Sequence, residues 1–209
     1  MKNLVVNSCL KYIGKYNNYS SDEIKIIKYG LEGIYLTISK VIIILIIALL
    51  LGIFKEVILF LLLFNIIRST AFGLHASKSY ICLISSTLIF IFIPYLCLYI
   101  NINNYIKCLI SIMCILYIYR YAPSDTVKRP IVSKKRRDVY KFLSTIISII
   151  YSFTLLLCSN FISNALLFSM VIECFLISPI VYKIFKLPYN NYIKFLEDNP
   201  DFNVNGKEV

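Results

Sequence analysis

Six runs of apolar residues separated by polar breaks dominate this chain. The first occupies residues 34–54 and, at about 20 residues, is long enough to cross a bilayer core; Lys40 near its start can snorkel to the interface. The second, residues 57–67, is short, because the stretch from Glu56 to Arg68 rises only about 20 Å as a helix against a core of about 30 Å. Either that helix continues through Ser69, Thr70 and Ala71, or segment 68–82 dips into the membrane. Further runs cover residues 80–100, where Pro94 is expected to kink the helix, 105–121, 142–158 and 161–182. Residues 1–32 mix Ile24, Ile26, Ile27 and Leu31 with Asp22, Glu23, Lys25 and Lys28 behind a helix start at Ser20 and Ser21. This stretch reads as an amphipathic interfacial helix or, equally, as a short solvent-facing helix packed on the rest. The pattern predicts an all-α integral membrane protein of about six transmembrane helices, with a single membrane-embedded domain over residues 1–209. Its parts are an N-terminal segment 1–32, a six-span core 33–182 and a tail 183–209.

Orientation follows from the basic residues, since short loops rich in Lys and Arg stay cytoplasmic. Residues 120–141 hold eight of them, Arg120, Lys128, Arg129, Lys134, Lys135, Arg136, Arg137 and Lys141, and Pro123 and Pro130 exclude a continuous helix there. Placing this stretch inside puts residues 68–79 inside, residues 55–56, 101–104 and 159–160 outside, and both termini in the cytoplasm.

Composition agrees with a membrane protein: 59% of the 209 residues are hydrophobic, 16% are charged, and there is no Trp. The first thirty residues, with Lys2, Lys11, Lys15, Lys25 and Lys28, do not read as a removable signal peptide. Seven cysteines, an odd number and mostly inside apolar runs, argue against a disulfide framework. The net charge of +11 falls beside apolar spans without an aromatic-basic stacking module, so membrane lipids or an acidic peptide are the expected partners rather than nucleic acid. P-loop and dinucleotide fingerprints are absent, and no cofactor is expected.

Candidate chemistry concentrates at residues 68–82, which contain the only histidine, His75, and a cysteine, Cys82. A thiol nucleophile needs a base, and a Cys with a His is the minimal set. On one straight helix their spacing separates them by about 10.5 Å along the axis, too far for proton transfer, so a productive pair needs a bend. Gly73 permits one, and Ser77 or Ser79 is suited to cap a new helix near Tyr80. Cys82 would then lie in that helix's first turn, where free N–H groups favour an anion, with Lys78 adding to the effect. The same residues also suit a purely structural role, because buried free cysteines are common and inert. No metal site is expected, since zinc wants three or four ligands. Glu173, the one carboxylate inside a span, reads as a structural partner for Arg68 or Lys40, or as a substrate contact. Asp125 reads as a turn former or a polar contact.

Arg68, the run Ala71, Phe72, Gly73, Leu74, His75 and Ala76, and Cys82 together resemble the motif of the accessory gene regulator protein B family. These are membrane endopeptidases that mature autoinducing peptides in Gram-positive quorum sensing. Tyr121, Ala122, Pro123, Ser124 and Asp125, followed by Pro130 and a basic run, are similar to that family's loop between the fourth and fifth spans. Phe72 departs from the pattern, standing where many members have a second glycine. The resemblance implies a cysteine protease with Cys82 as nucleophile, His75 as general base, and Arg68 and Gly73 shaping the site. Its implied substrate is a small propeptide with an acidic C-terminal tail, whose removal through a thioester acyl-enzyme leads to a cyclic thiolactone or lactone. The resemblance further implies a homodimer in the cell membrane of a Gram-positive bacterium, and the orientation read from the basic residues turns the active site toward the cytoplasm. Lys134, Lys135, Arg136 and Arg137 are expected to attract the acidic tail. The alternative is a peptide exporter or binding scaffold without proteolytic chemistry, motivated by the six spans and Glu173.

Overall fold

The computed structural model describes residues 2–15, 19–74, 79–127 and 129–199. Among the described residues the secondary structure is helical apart from isolated bridges, in the order α1 (Lys2–Ile13), α2 (Ser21–Leu50), α3 (Phe54–Ala71), α4 (Ser79–Tyr99), α5 (Asn104–Tyr121), α6 (Lys134–Leu157), α7 (Asn160–Ile177), α8 (Pro179–Ile184) and α9 (Asn191–Asp198). Four of these, α2, α4, α6 and α7, are long and apolar enough to cross a membrane. Helices α3 and α5, with 18 residues each, have no such apolar stretch of 18 residues, since α3 contains Lys55, Glu56 and Arg68 and α5 contains Lys107 and Arg120.

The helix start at Ser20 is built as a capping box. The Glu23 N–H donates to Ser20 Oγ at 3.3 Å, and the Ser20 N–H donates to the Glu23 carboxylate at 2.7 Å. The helix so begun does not stop near residue 32 but runs unbroken for 30 residues, about 45 Å at 1.5 Å per residue. The second part of the expected N-terminal segment and the first expected span are therefore one helix. It ends at Leu50, and just beyond its cap Gly52, with a φ of +71°, lets the Ile53 N–H reach back to the Ala48 carbonyl at 3.0 Å. Helix α1 folds back on α2, where Lys2 pairs with Glu32 at 2.9 Å.

The short second run is resolved by continuation: α3 proceeds through Ser69 and Thr70 to Ala71. Pro94 lies inside α4 without ending it. The last expected span is shorter than residues 161–182, because α7 stops at Ile177. Pro179 has no N–H to give and disfavours a helical residue before it, but it suits the first position of the new helix α8.

Helices α3 and α7 form the centre. One apolar cluster joins Ile67 of α3 to Ile118, Leu155 and Met170 of α5, α6 and α7. A second joins Phe60 and Phe64 of α3 to Ile44, Phe90 and Ala165 of α2, α4 and α7, with Phe64 edge-on to Phe90 at 5.4 Å. Burial grades accordingly, from half of the α7 span to 11% of α2. Polar ties fasten the helices: Tyr151 Oη donates to the Leu63 carbonyl at 2.7 Å, and Asn164 Nδ2 donates to the Cys97 and Ile100 carbonyls at 3.1 and 2.7 Å. Interhelical bonds of this kind contribute about 0.6 kcal/mol on average in membrane bundles. Tyr151→Phe should therefore lower stability by about that amount, and Asn164→Leu by about twice as much, since it removes two bonds. Thermal unfolding in detergent measures both, and equal losses would contradict the assignment.

Candidate active site

The end of α3 sets the site. Phe72 and Gly73 both take positive φ, +60° and +97°, and turn the chain away from the helix axis. For a bulky residue such as Phe72 this backbone is a strained one, which glycine would adopt at no steric cost. The turn is pinned on two sides. The Gly73 N–H donates to the Ser124 carbonyl at 2.7 Å while the Ser124 N–H donates to Ala71 at 3.0 Å, and the Leu74 N–H donates to the Leu176 carbonyl near the end of α7 at 2.9 Å. Arg68, in the last turn of α3, closes it from beneath: Nη2 donates to the Gly73 and Leu74 carbonyls at 3.2 and 2.6 Å, and Nη1 lies 3.4 Å from Glu173 Oε1. Gly73 has no room for a side chain, because a Cβ would stand 2.6 Å from Arg68 Nη1 and 2.7 Å from the Leu176 oxygen.

The intramembrane carboxylate thus pairs with Arg68 rather than Lys40. Glu173 is fully buried, and its Oε1 is engaged by the guanidinium. The other expected site residues are placed as follows. His75 and Lys78 lie outside the described residues, as does Ser77. Helix α4 starts at Ser79, which is inside the helix and so is not its N-cap. Cys82 is in the first turn of α4, partly buried, with Sγ 3.8 Å from Lys40 Nζ and 3.9 Å from Ser86 Oγ. All seven cysteines are free, so no disulfide competes for this thiol.

Asp125 serves the fold. Its two carboxylate oxygens accept the N–H groups of Asn191 and Tyr192 at 2.9 and 2.8 Å, capping α9, and its carbonyl accepts Tyr182 Oη at 2.9 Å. Lys134, Lys135, Arg136 and Arg137 form the first turn of α6 behind the Ser133 N-cap. Lys134 and Lys135 are exposed, whereas Arg137 donates to the Ile131 and Val132 carbonyls at 3.0 and 3.1 Å and stacks 3.7 Å over the Tyr192 ring. No acidic residue stands in that turn to balance the helix dipole. Among the described residues no group of three or more His, Cys, Asp or Glu side chains could hold a metal ion.

Loop contacts bring segments 71–74 and 122–126, the end of α7 and the start of α9 to one end of the bundle, with the start of α4 following the first of these in the chain. The sequence model described as Accessory gene regulator B matches residues 6–177. The chain belongs to this family. A putative AgrB-like protein of Clostridium acetobutylicum is 34% identical over 184 residues, 88% of each chain. The accessory gene regulator protein B of Staphylococcus aureus strain bovine RF122 is 30% identical over 173 residues, 82% of this chain and 91% of that one. A putative AgrB-like protein of Listeria monocytogenes is 29% identical over 170 residues, 81% of this chain and 83% of that one. No solved structure matches.

The Arg68–Glu173 pair is mostly withdrawn from solvent, with side-chain exposures of 17% and 0%. Breaking a buried pair leaves a charge uncompensated, at a cost of roughly 3–5 kcal/mol. Glu173→Ala is expected at the low end, about 3 kcal/mol, because Arg68 keeps some solvent. Arg68→Ala with Glu173→Ala should cost less than the sum of the two single changes. A thermal-unfolding double-mutant cycle checks this, and strict additivity would show that the two groups do not interact.

Proposed function

We propose that this chain is a membrane-embedded cysteine endopeptidase that removes the acidic C-terminal tail of a small quorum-sensing propeptide and promotes cyclisation of the remainder. The observation that carries the reading is the position of Cys82: first turn of α4, thiol in contact with an ammonium group, a few residues along the chain from the Arg68-clamped turn. Membership of the accessory gene regulator B family supports it. The engagement of Glu173 by Arg68 weakens the exporter reading, which relied on that carboxylate as a substrate contact.

In the proposed reaction His75 takes the Cys82 thiol proton, and the Cys82 thiolate attacks the carbonyl carbon of the scissile peptide bond. The C–N bond breaks, the released amine takes the proton from the His75 imidazolium, and the acyl group remains on Sγ as a thioester. A Cys thiol or Ser hydroxyl of the same peptide then gives its proton to His75 and attacks that thioester. A thiolactone or lactone forms, and Cys82 departs as thiolate, recovering the proton from His75. A thioester keeps the acyl group activated, and intramolecular attack at a water-poor site outruns hydrolysis.

The proposed topology has six spans, with α3 and α5 completing the four more apolar ones, and both termini in the cytoplasm. Support comes from the basic loop and helix starts gathering at the end where Cys82 lies, since Lys and Arg favour the cytoplasmic side. Exposed Lys134 and Lys135 are the proposed contacts for the acidic tail.

Co-expression with the propeptide, followed by mass spectrometry of the tail, tests the reading. Wild type should release the tail, and Cys82→Ala and His75→Ala should each reduce release at least about a hundredfold, the scale of general-base loss. Release by both variants at the wild-type rate would remove the peptidase assignment.

A further inference from the structure

The lysine of the first apolar run has an assignment that its sequence position does not suggest. Lys40 stands between Ser39 and the unbroken apolar run 41–51, where a cation is costly and ordinarily bends toward water. Its helical register points elsewhere. Lys40, Ile44 and Ala48 follow at four-residue intervals on one face of α2, and Ile44 and Ala48 are both fully buried. That face meets α4, whose Phe90 packs in the same cluster as Ile44 and Ala48. Lys40 therefore faces the bundle, and its Nζ reaches Cys82 Sγ at 3.8 Å. Among the described residues no carboxylate pairs with it.

The other neighbour of the sulfur cannot do the same work. Ser86 Oγ is 3.9 Å from Sγ, but it lies 2.6 Å from the Cys82 carbonyl, to which its single hydrogen is donated. It presents lone pairs to the sulfur, which suits an S–H and disfavours an anion. Of the two described polar contacts of Sγ, only Lys40 has a proton to offer a thiolate.

We propose that Lys40 is the electrostatic partner of Cys82, its ammonium placed to stabilise the negative charge that the sulfur carries when it attacks and when it departs. The inference rests on the reading of Cys82 as nucleophile. It adds a residue from α2 to a site otherwise built from the end of α3, the turn at residues 72–74 and the start of α4, and it makes the approach of α2 to α4 a condition for activity. Charge-assisted hydrogen bonds are shorter and stronger than neutral ones, so ionisation of the sulfur tightens the contact. A neighbouring Lys or Arg cation is one of the means by which proteins activate a cysteine. When the sulfur becomes a thioester its charge disappears, and the ammonium is freed for the carbonyl oxygen or solvent. When the thiolate departs in the second step, the same ammonium receives it.

The test is alkylation of Cys82 in the detergent-solubilised full chain, followed residue by residue by mass spectrometry, with anionic iodoacetate and neutral iodoacetamide as parallel probes. A cation beside the sulfur raises the iodoacetate-to-iodoacetamide rate ratio above that of a free thiol peptide in the same detergent. In Lys40→Met, alkylation by iodoacetamide should slow about tenfold or more, given the strength of charge attraction near 4 Å at a protein surface, and the ratio should fall to the free-thiol value. Lys40→Arg should restore both, which loss of packing alone would not explain. Lys40→Gln, neutral and close in size, provides the same comparison should the Met variant fail to fold. Unchanged rates and ratio in Lys40→Met or Lys40→Gln would overturn the role of Lys40. The peptidase reading is judged separately: if Cys82→Ala abolishes tail release while the Lys40 variants alkylate normally, only the Lys40 inference fails. If Cys82→Ala leaves release intact, the nucleophile assignment falls, and the inference falls with it.

Discussion

The guanidinium of Arg68 holds together the part of this molecule where chemistry is proposed. It stands at the end of α3, spends donors on the Gly73 and Leu74 carbonyls, and turns another toward Glu173 of α7. A planar fork of five donors can serve two carbonyls and a carboxylate at once, which the ammonium of a lysine cannot do with the same fixed geometry. Buried ion pairs contribute little net stability compared with apolar packing. The value of this pair is positional, because it fixes the path of the chain as it leaves α3 toward His75. The strain at Phe72, of the order of 1–3 kcal/mol for such a backbone, is sustained because Gly73 and Leu74 are bonded on both flanks. Gly73 belongs to the same constraint, since the space its Cβ would need is taken by the guanidinium and the α7 backbone.

Around this point the bundle divides into a tight centre and two unlike ends. One end has short connections at residues 51–53, 100–103 and 158–159, and its buried Lys107 is satisfied by Ser163 Oγ at 2.8 Å. The other gathers the turn after α3, the 122–126 loop, the start of α6 and α9. These are locked to one another by Asp125 on the α9 N–H groups and by Arg137 over Tyr192. Four basic residues in the first turn of α6 oppose its dipole, so that turn is a poor choice for helix stability alone.

Much of this was legible in the residues themselves. Apolar run length located the helices, Ser20 with Glu23 marked a helix start, and an intramembrane Glu173 called for a basic partner, one of the two anticipated candidates being the one found. What escaped depends on contacts between distant parts of the chain. Asp125 reads as a turn residue because the helix it caps begins 66 positions later. Lys40 reads as a snorkelling lysine until its four-residue spacing with Ile44 and Ala48 is combined with the knowledge that this face meets α4. The break at Ser178 was available locally in Pro179, but the apolar residues on both sides disguise it as one continuous span. The continuity of α2 was hidden by the change from mixed to apolar composition near residue 33, which alters what the helix faces without ending it.

The central claim is that Cys82 carries the acyl group, and trapping that group tests it most directly. Full-length protein would be mixed with a propeptide whose ring-forming Cys or Ser is replaced by Ala, so that no internal nucleophile can remove the acyl group. Intact-mass and peptide mapping would then follow the products. An adduct of the propeptide's N-terminal portion on Cys82 is expected, released by hydroxylamine as a thioester requires. Tail release with no adduct at any time, or a hydroxylamine-sensitive adduct on a different residue, would contradict it.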